Sequence, residues 1–393
     1  MFIKRQILPQ LLKELETKEI IIITGMRQVG KTTLLKHLFE TVSSSNKVCL
    51  DAENPLHRRI FEEENYDNIW HNLTRFNIKN TEKAYIFIDE VQKMSSSINA
   101  IKYLFDHYNI KFFLTGSSSF YLKNLFPESM AGRKIVFELF PLTFSEFLTF
   151  KGKNPPPIKE FSEKATAKNE ISYNLLRKDY DEYMSSGGFP KVVLERSFQR
   201  KKLLLEEVFT SYFEIDIKSL ADFKDSSKIR NLILLLPNRI SSKLDIAKIS
   251  SELSISRDTV YSYLEFLEKT YFINLIPKHS ASADRSAAGS KKFFLCDCGL
   301  AQMLGQISVG QALENSVFQN LRPHYSLTYY SGKSGGEIDF ILNNQTALEV
   351  KVSASPQDIR NLERSAQAAG IKTSYLATLN FSHMENTIPV TDI

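Results

Sequence analysis

Three continuous apolar runs mark the first third of the chain: Ile20-Ile-Ile-Ile23, Ala84-Tyr-Ile-Phe-Ile88 and Ile110-Lys-Phe-Phe-Leu114. Each is short and rich in β-branched or aromatic residues, the pattern of a strand buried on both faces of a parallel sheet. From about Leu175 to Leu236 the apolar positions recur at helical spacing. Leu244 to Leu267 reads as a helix, a short turn and a second helix, with Ser256 as N-cap and Val260, Leu264 and Leu267 on one face. The strand-like Thr270-Tyr-Phe-Ile-Asn-Leu-Ile276 follows, and Lys292-Phe-Phe-Leu295 starts another strand-to-helix element. Near the end come a helix over Gln311–Leu321 and two strands, around Glu337–Leu342 and Ala347–Val352, joined by the polar turn Asn343-Asn344-Gln345.

Two stretches lack such patterning. Lys151 to Asn169 is rich in Lys, Glu and Pro around Pro155-Pro156-Pro157, which predicts a surface linker or insertion. Lys278 to Lys292 is rich in Ser and Ala, with Arg285, and reads as a flexible loop. The expected organisation is an α/β domain over residues 1–150, a linker over 151–174, a helical segment over 175–277 and a second α/β domain over 278–393.

A chain of 393 residues supports two or three such domains, and 42% hydrophobic with 24% charged residues is ordinary globular composition. No stretch approaches the roughly 18 uncharged apolar residues that span a bilayer. The amino terminus lacks the apolar core of a signal peptide, and three cysteines make no disulfide framework. A reducing, cytoplasmic location without membrane contact is the expectation. Cys296 and Cys298 lack a second pair to complete a zinc site. The net charge of +5 permits a nucleic-acid partner without arguing for one.

The chemistry begins at Gly25-Met-Arg27-Gln28-Val29-Gly30-Lys31-Thr32-Thr33, which matches G-x-x-x-x-G-K-[ST] between a strand and a helix. Gly25 and Gly30 let backbone amides turn in around phosphates, and the helix amino terminus adds positive potential. Lys31 is placed to reach the β- and γ-phosphates of ATP, and the Thr32 hydroxyl to ligate Mg²⁺. Asp89 and Glu90 close the second apolar run, where Asp89 can hold the Mg²⁺ water shell and Glu90 can deprotonate the attacking water. The third run ends in Thr115-Gly-Ser117-Ser118-Ser119, a candidate γ-phosphate sensor and equally a plain turn. Arg133 is a candidate to meet phosphate in the same or a neighbouring subunit.

These stretches, with Pro141-Leu-Thr-Phe-Ser-Glu146, Gly187-Gly188-Phe189-Pro190 and Tyr212-Phe-Glu-Ile-Asp-Ile217, resemble the AAA-type ATPases of archaea and bacteria that carry a carboxy-terminal domain of unknown function. The resemblance implies Lys31 and Thr32 as nucleotide and Mg²⁺ ligands, Glu90 as hydrolytic base, Arg133 as arginine finger, and a ring of subunits as one form of assembly. The helix pair after Leu244 resembles a winged helix, whose second helix would present Arg257, Thr259, Tyr261 and Tyr263 to a DNA groove. Between Lys243 and Lys269, however, four Lys and Arg stand against five Asp and Glu, so phosphate neutralisation there is small.

In the final hairpin, Asp339 and Glu349 can sit side by side, and Lys351 shares the face of Glu349. With Glu314 from the preceding helix they could hold Mg²⁺ and activate water. Asp339 and Glu349-Val-Lys351 resemble the PD-(D/E)XK nuclease superfamily, with Ile338 where that pattern has Pro. Three functions are open at this point: an ATPase gating a Mg²⁺-dependent nuclease on DNA or RNA, a nucleotide-driven switch whose later segments only bind protein or DNA, and a nucleic-acid-binding regulator that takes ATP as a ligand.

Overall fold

The computed structural model describes residues 2–117, 132–157, 159–218, 226–280, 290–332 and 335–393. The chain divides into two compact units: Met1–Phe140 with Lys269–Tyr271, and Pro141–Glu268 with Phe272–Ile393.

In the first unit, β1 (Ile20–Thr24), β2 (Lys47–Asp51), β3 (Ala84–Asp89), β4 (Ile110–Gly116) and β5 (Lys134–Glu138) form one sheet. Its order is β2-β3-β4-β1-β5, and every pairing is parallel. The three apolar runs are the central strands β1, β3 and β4, buried along almost their whole length as both-face burial requires. One face packs Ile20, Ile22, Ile86, Ile88, Phe112 and Leu114 against Ile98, Ile101, Leu104 and Phe105 of the helix Ile98–His107. Because the strands are parallel, all their carboxyl ends share one edge, which is where open α/β sheets bind ligands.

The second unit has one large core running through most of its length. Leu142, Phe147, Phe161, Tyr183, Phe294, Val317, Phe318, Phe340, Leu348 and Ile388 belong to a single cluster. An antiparallel ribbon pairs β6 (Ile273–Ile276) with β7 (Lys292–Leu295). The larger sheet has the order β12-β11-β10-β9-β8 and contains β8 (Leu327–Ser331), β9 (Glu337–Leu342), β10 (Thr346–Lys351), β11 (Thr373–Thr378) and β12 (Thr387–Pro389). Strands β8, β9 and β10 pair antiparallel, and β10, β11 and β12 pair parallel, with the helix Pro356–Ala368 crossing from β10 to β11. The expected turn between β9 and β10 is present, with Asn343 and Asn344 both at positive φ.

The expected boundaries differ from this arrangement. The compact units part at Phe140, ahead of the expected end of the first domain at residue 150. The segment 151–174 is no free linker: Phe161 and Ala165, four residues apart on the helix Phe161–Thr166, are buried in the core. Its polar composition reflects the outer face of that helix. On either side of residue 278, Ile276 and Phe294 lie in the same core as the large sheet. Ser256 does cap the helix Arg257–Lys269, accepting from Thr259 N at 3.1 Å. Tyr261 is exposed, but Tyr263 is buried and presents nothing to a groove.

Asp297 accounts for the Gly187-Gly188 pair. Its fully buried carboxylate accepts from Gly188 N at 2.6 Å, Leu300 N at 3.1 Å and Gln319 Nε2 at 3.3 Å. A Cβ on Gly187, which has φ +75°, would lie 2.0 Å from Asp297 Oδ1, and one on Gly188 would lie 2.3 Å from the Leu142 carbonyl oxygen. Neither neighbour can retreat without breaking these bonds. Gly188→Ala should therefore destabilise the protein by about 3 kcal/mol. Gly370→Ala, at φ +77° with nothing within 4 Å of the new Cβ, should cost only about 1 kcal/mol. Denaturant midpoints of the two variants measure the difference, and equal midpoints would mean that the close packing around Asp297 relaxes freely.

Candidate functional site

The phosphate-loop residues lie at the carboxyl edge of the first unit's sheet. Gly25 follows β1 at φ 150°, Gln28 and Gly30 also take positive φ, and the helix Lys31–Thr41 starts directly afterwards. Gly25 is required by contact as well as by conformation, since a Cβ would stand 2.1 Å from the Leu139 carbonyl oxygen. Val29 is fully buried and anchors the loop, while Arg27 is half-buried and Thr32 and Thr33 are exposed. The buried Lys31 ammonium donates to the carbonyls of Gly25 and Met26, both at 2.9 Å, so it curls over the loop's hollow side. One member of this site carries no sequence signal. Arg5, buried, donates to Val29 O at 2.8 Å and Phe140 O at 2.7 Å, tying the loop to the residue after β5.

Strand register brings the acidic pair to the same edge. Thr24 pairs with Gly116, and Ile88 with Leu114, which sets Asp89 beside Thr115. The Thr115 hydroxyl donates to the Asp89 carboxylate and accepts from Glu90 N at 3.1 Å. Glu90 stands at φ 54°, a backbone state uncommon for its residue type and concentrated at functional sites. Gln92 donates to the Glu90 carboxylate and, at 3.0 Å, to Ser117 Oγ. Gln92 is thus a further member, and its place right after Asp89-Glu90 was the available signal. Thr24 Oγ1 and Gln92 Oε1 are buried here without a hydrogen bond. Polar atoms left this way at a phosphate loop suit a ligand that brings its own donors and acceptors.

Ser118 and Ser119 lie outside the described residues. Arg133 is not at this edge. Its carbonyl accepts from Ile20 N at 2.8 Å and its Nε donates to Asp106 at 2.9 Å, so it sits where β1 begins, at the opposite end of the strand from the loop. The length of β1 separates it from its own chain's loop of residues 25–33, which corrects the same-subunit reading of this residue.

The second unit gathers Glu314, Asp339, Glu349 and Lys351 around a fifth residue, Lys292, that sequence reasoning passed over. Register places Leu348 opposite Phe340, and the next step brings Glu349 beside Asp339 as expected. Lys351 Nζ lies 2.9 Å from Glu349 Oε1, and Val350 N donates to Asp339 Oδ2 at 2.9 Å. Lys292, the first residue of β7, places its ammonium 2.6 Å from Asp339 Oδ1 and 3.1 Å from Glu314 Oε2. Burial alone would lower the Lys292 pKa, but Asp339 and Glu314 hold it above the usual lysine value. Burial and then the Asp339 charge push the Glu314 carboxyl up to about 8 and Glu349 to about 7. Beside this cluster opens a cleft of about 500 Å³ lined by Tyr330, Glu349, Lys351, Asn361 and the exposed Arg364.

The metal assignment of Glu314, Asp339 and Glu349 does not fit this geometry. Among the described residues no group of three or more His, Cys, Asp or Glu side chains is arranged to hold a metal ion. Two of the three carboxylates turn to Lys292 and the third to Lys351.

Comparison with known proteins agrees with the first unit's geometry. Residues 17–148 match the AAA domain family, and residues 177–311 and 309–390 match two domains of unknown function. The parallel sheet and its loop resemble those of a P-loop AAA-type ATPase domain. An uncharacterized protein of Methanocaldococcus jannaschii is 28% identical over 361 residues, covering 89% of this chain and 78% of that protein. One of Haemophilus influenzae is 28% identical over 357 residues, covering 87% and 84%. Among solved structures, the Aeropyrum pernix ORC1 protein in complex with DNA aligns at TM-score 0.32 and 11% identity, over 76% of this chain and 90% of that one. No helix among the described residues is long and apolar enough to cross a membrane.

The raised Glu314 value has a thermodynamic consequence. The unfolded chain loses this proton near 4.5 and the folded protein near 8, so between those values the folded state binds more protons. Stability from this group is complete below about 4.5 and is lost as pH rises through about 8. Glu314→Gln should flatten that decline, read as urea midpoints at pH 5 and pH 8. An unchanged decline would show that Glu314 is already ionised in the fold.

Proposed function

We propose that this protein is an ATP-hydrolysing enzyme of AAA type whose second unit binds a partner without cutting it. The observation that carries the hydrolytic reading is the pairing of Asp89 and Glu90 at the sheet edge that holds Lys31. Lys31 binds the β- and γ-phosphates, with the amides of the loop from Arg27 through Thr33 around them. Thr32 and Asp89 would hold the Mg²⁺ that arrives with ATP, which would supply charge neutralisation to the phosphates. Glu90 takes the proton of the attacking water, and Gln92, bonded to both Glu90 and Ser117, fixes that carboxylate's direction. Ser117 stands where it can register the γ-phosphate. A binder with no hydrolytic step would have no use for Glu90 in a left-handed backbone state.

For the second unit we propose a winged helix over the helices Ser226–Leu235, Ile246–Leu253 and Arg257–Lys269 with the ribbon β6–β7, which follow in the order of that fold. We further propose that the helix Val309–Leu321, strands β8 to β11 and the helix Pro356–Ala368 share the PD-(D/E)XK architecture. Binding without cleavage is favoured by Lys292, because its ammonium takes the hydrogen bonds that a catalytic cation's ligands would need. The partner is protein or nucleic acid: the cleft sets two cations, Lys351 and Arg364, beside three acids, Glu337, Glu349 and Asp358, so its charge alone selects neither.

Two measurements test this. Lys31→Ala should reduce phosphate release from ATP about a hundredfold or more, and Glu90→Gln should do the same while fluorescent ATP still binds. Normal turnover in Glu90→Gln removes it as the base. Single- and double-stranded DNA and RNA incubated with Mg²⁺ or Mn²⁺, with and without ATP, should stay intact. Divalent-dependent cleavage that Asp339→Ala abolishes would instead establish the nuclease reading.

A further inference from the structure

Lys292 is tied in place from several directions. It opens β7, pairs with Ile276 of β6, and forms an antiparallel bridge with Lys243. Its side chain is only 10% exposed, and its ammonium lies 5.9 Å from the ring centroids of both Phe294 and Phe340. An ammonium so enclosed needs oxygen acceptors, since little water reaches it and an unpaired buried charge is costly. Asp339 Oδ1 and Glu314 Oε2 supply them at 2.6 Å and 3.1 Å. Those two oxygens come from a helix and a strand, and Glu314 also shares a hydrogen bond with Asp339, so Lys292 and the two carboxyl groups join the helix to β9.

A divalent cation between the same oxygens would have to approach each to about 2.1 Å for Mg²⁺, or slightly farther for Mn²⁺. It would share that space with an ammonium already bonded to both, against like-charge repulsion in a poorly hydrated interior. The remaining acid, Glu349, is committed through Oε1 to Lys351, while its buried Oε2 has no hydrogen bond. Glu349 Oε2 is thus the carboxylate atom of this cluster left without a donor.

We infer that Lys292 is the resident cation of this carboxylate cluster, tethered by the chain in the position where the nuclease pattern would place a metal, and that the wild-type protein takes no divalent metal there. Lys292 is a positioning residue in this arrangement: it holds β9 and the helix Val309–Leu321 together through Asp339 and Glu314. The inference rests on the non-cutting reading of the second unit, but its test uses no nucleotide and no nucleic acid. Failure of the ATPase reading leaves it readable, and its own failure leaves the ATPase reading intact.

The test is Mn²⁺ binding to the full-length chain without nucleotide, followed by electron paramagnetic resonance of free Mn²⁺. Wild type and Asp339→Asn should bind alike, with no equivalent that depends on Asp339. Lys292→Met, which keeps much of the stem's bulk and removes the charge, should gain one Mn²⁺ equivalent at least about tenfold tighter than any in wild type. Lys292→Met/Asp339→Asn should lose that equivalent, and thermal unfolding of Lys292→Met should shift upward with Mn²⁺ where wild type does not. A wild-type Mn²⁺ equivalent removed by Asp339→Asn would overturn the inference. So would a folded Lys292→Met that binds no more Mn²⁺ than wild type. If Lys292→Met does not fold alone, recovery of the fold by Mn²⁺ during refolding supports the inference, and no recovery at any Mn²⁺ concentration overturns it.

Discussion

A carboxylate without exposed surface organises the second unit. Asp297 receives hydrogen bonds from Gly188, Leu300 and Gln319, so it joins positions more than a hundred residues apart along the chain. Burial pushes its pKa up while these donors pull it down. A buried charge with partners on three segments is costly to disturb, because displacing one segment leaves both a charge and a donor unsatisfied. The same three bonds cap the helix Cys298–Leu304 through Leu300 and hold the chain at Gly187-Gly188 in a state only glycine accommodates. Phe189, fully buried next to them, completes the anchor.

Charge placement in the first unit follows a different rule. Parallel strands deliver their ends to one edge whatever their order in the chain, so a loop after β1 and acids after β3 meet without any long-range polar contact to guide them. The first site was therefore legible in the sequence. Each part is a contiguous motif at the end of an apolar run, and the sheet supplies the meeting point. What the sequence withheld was the support around it. Arg5 reaches Val29 and Phe140 from a stretch with no pattern, and its role depends on where β5 ends. Arg133 shows the converse: a Gly-Arg pair near the motifs stands before a strand, and a residue before a parallel strand lies at the edge away from its own chain's loop, which leaves only the neighbouring-subunit reading.

The second unit was legible in its elements and not in its assembly. Alternating runs gave the strands β9 and β10 with their turn, and one step of register brought Asp339 to Glu349. Lys292 stood both at the end of a polar loop and at the start of a strand, with no chemical role assigned to it. Nothing in its neighbourhood of the chain says that Glu314 and Asp339 will close on it. Phe161 and Ala165 were hidden similarly, as two inward positions within a run of Lys, Glu and Pro. Composition reports the average of a helix's faces, and a short helix with one buried stripe averages to polar.

The contrast between the two sites bears on what each can do. At the first, Thr24 Oγ1 and Gln92 Oε1 are left unpaired near a loop whose lysine donates to two of the loop's own backbone carbonyls. Such a lysine can transfer its hydrogen bonds to phosphate oxygens at little net cost, since carbonyls are weaker acceptors than an anion. At the second, Lys292 is bonded to carboxylates, which are as strong as the acceptors any ligand would offer. A ligand displacing it must supply both a cation for the acids and a new environment for a buried ammonium. The same residue type thus marks an open site where it rests on carbonyls and a closed one where it rests on carboxylates.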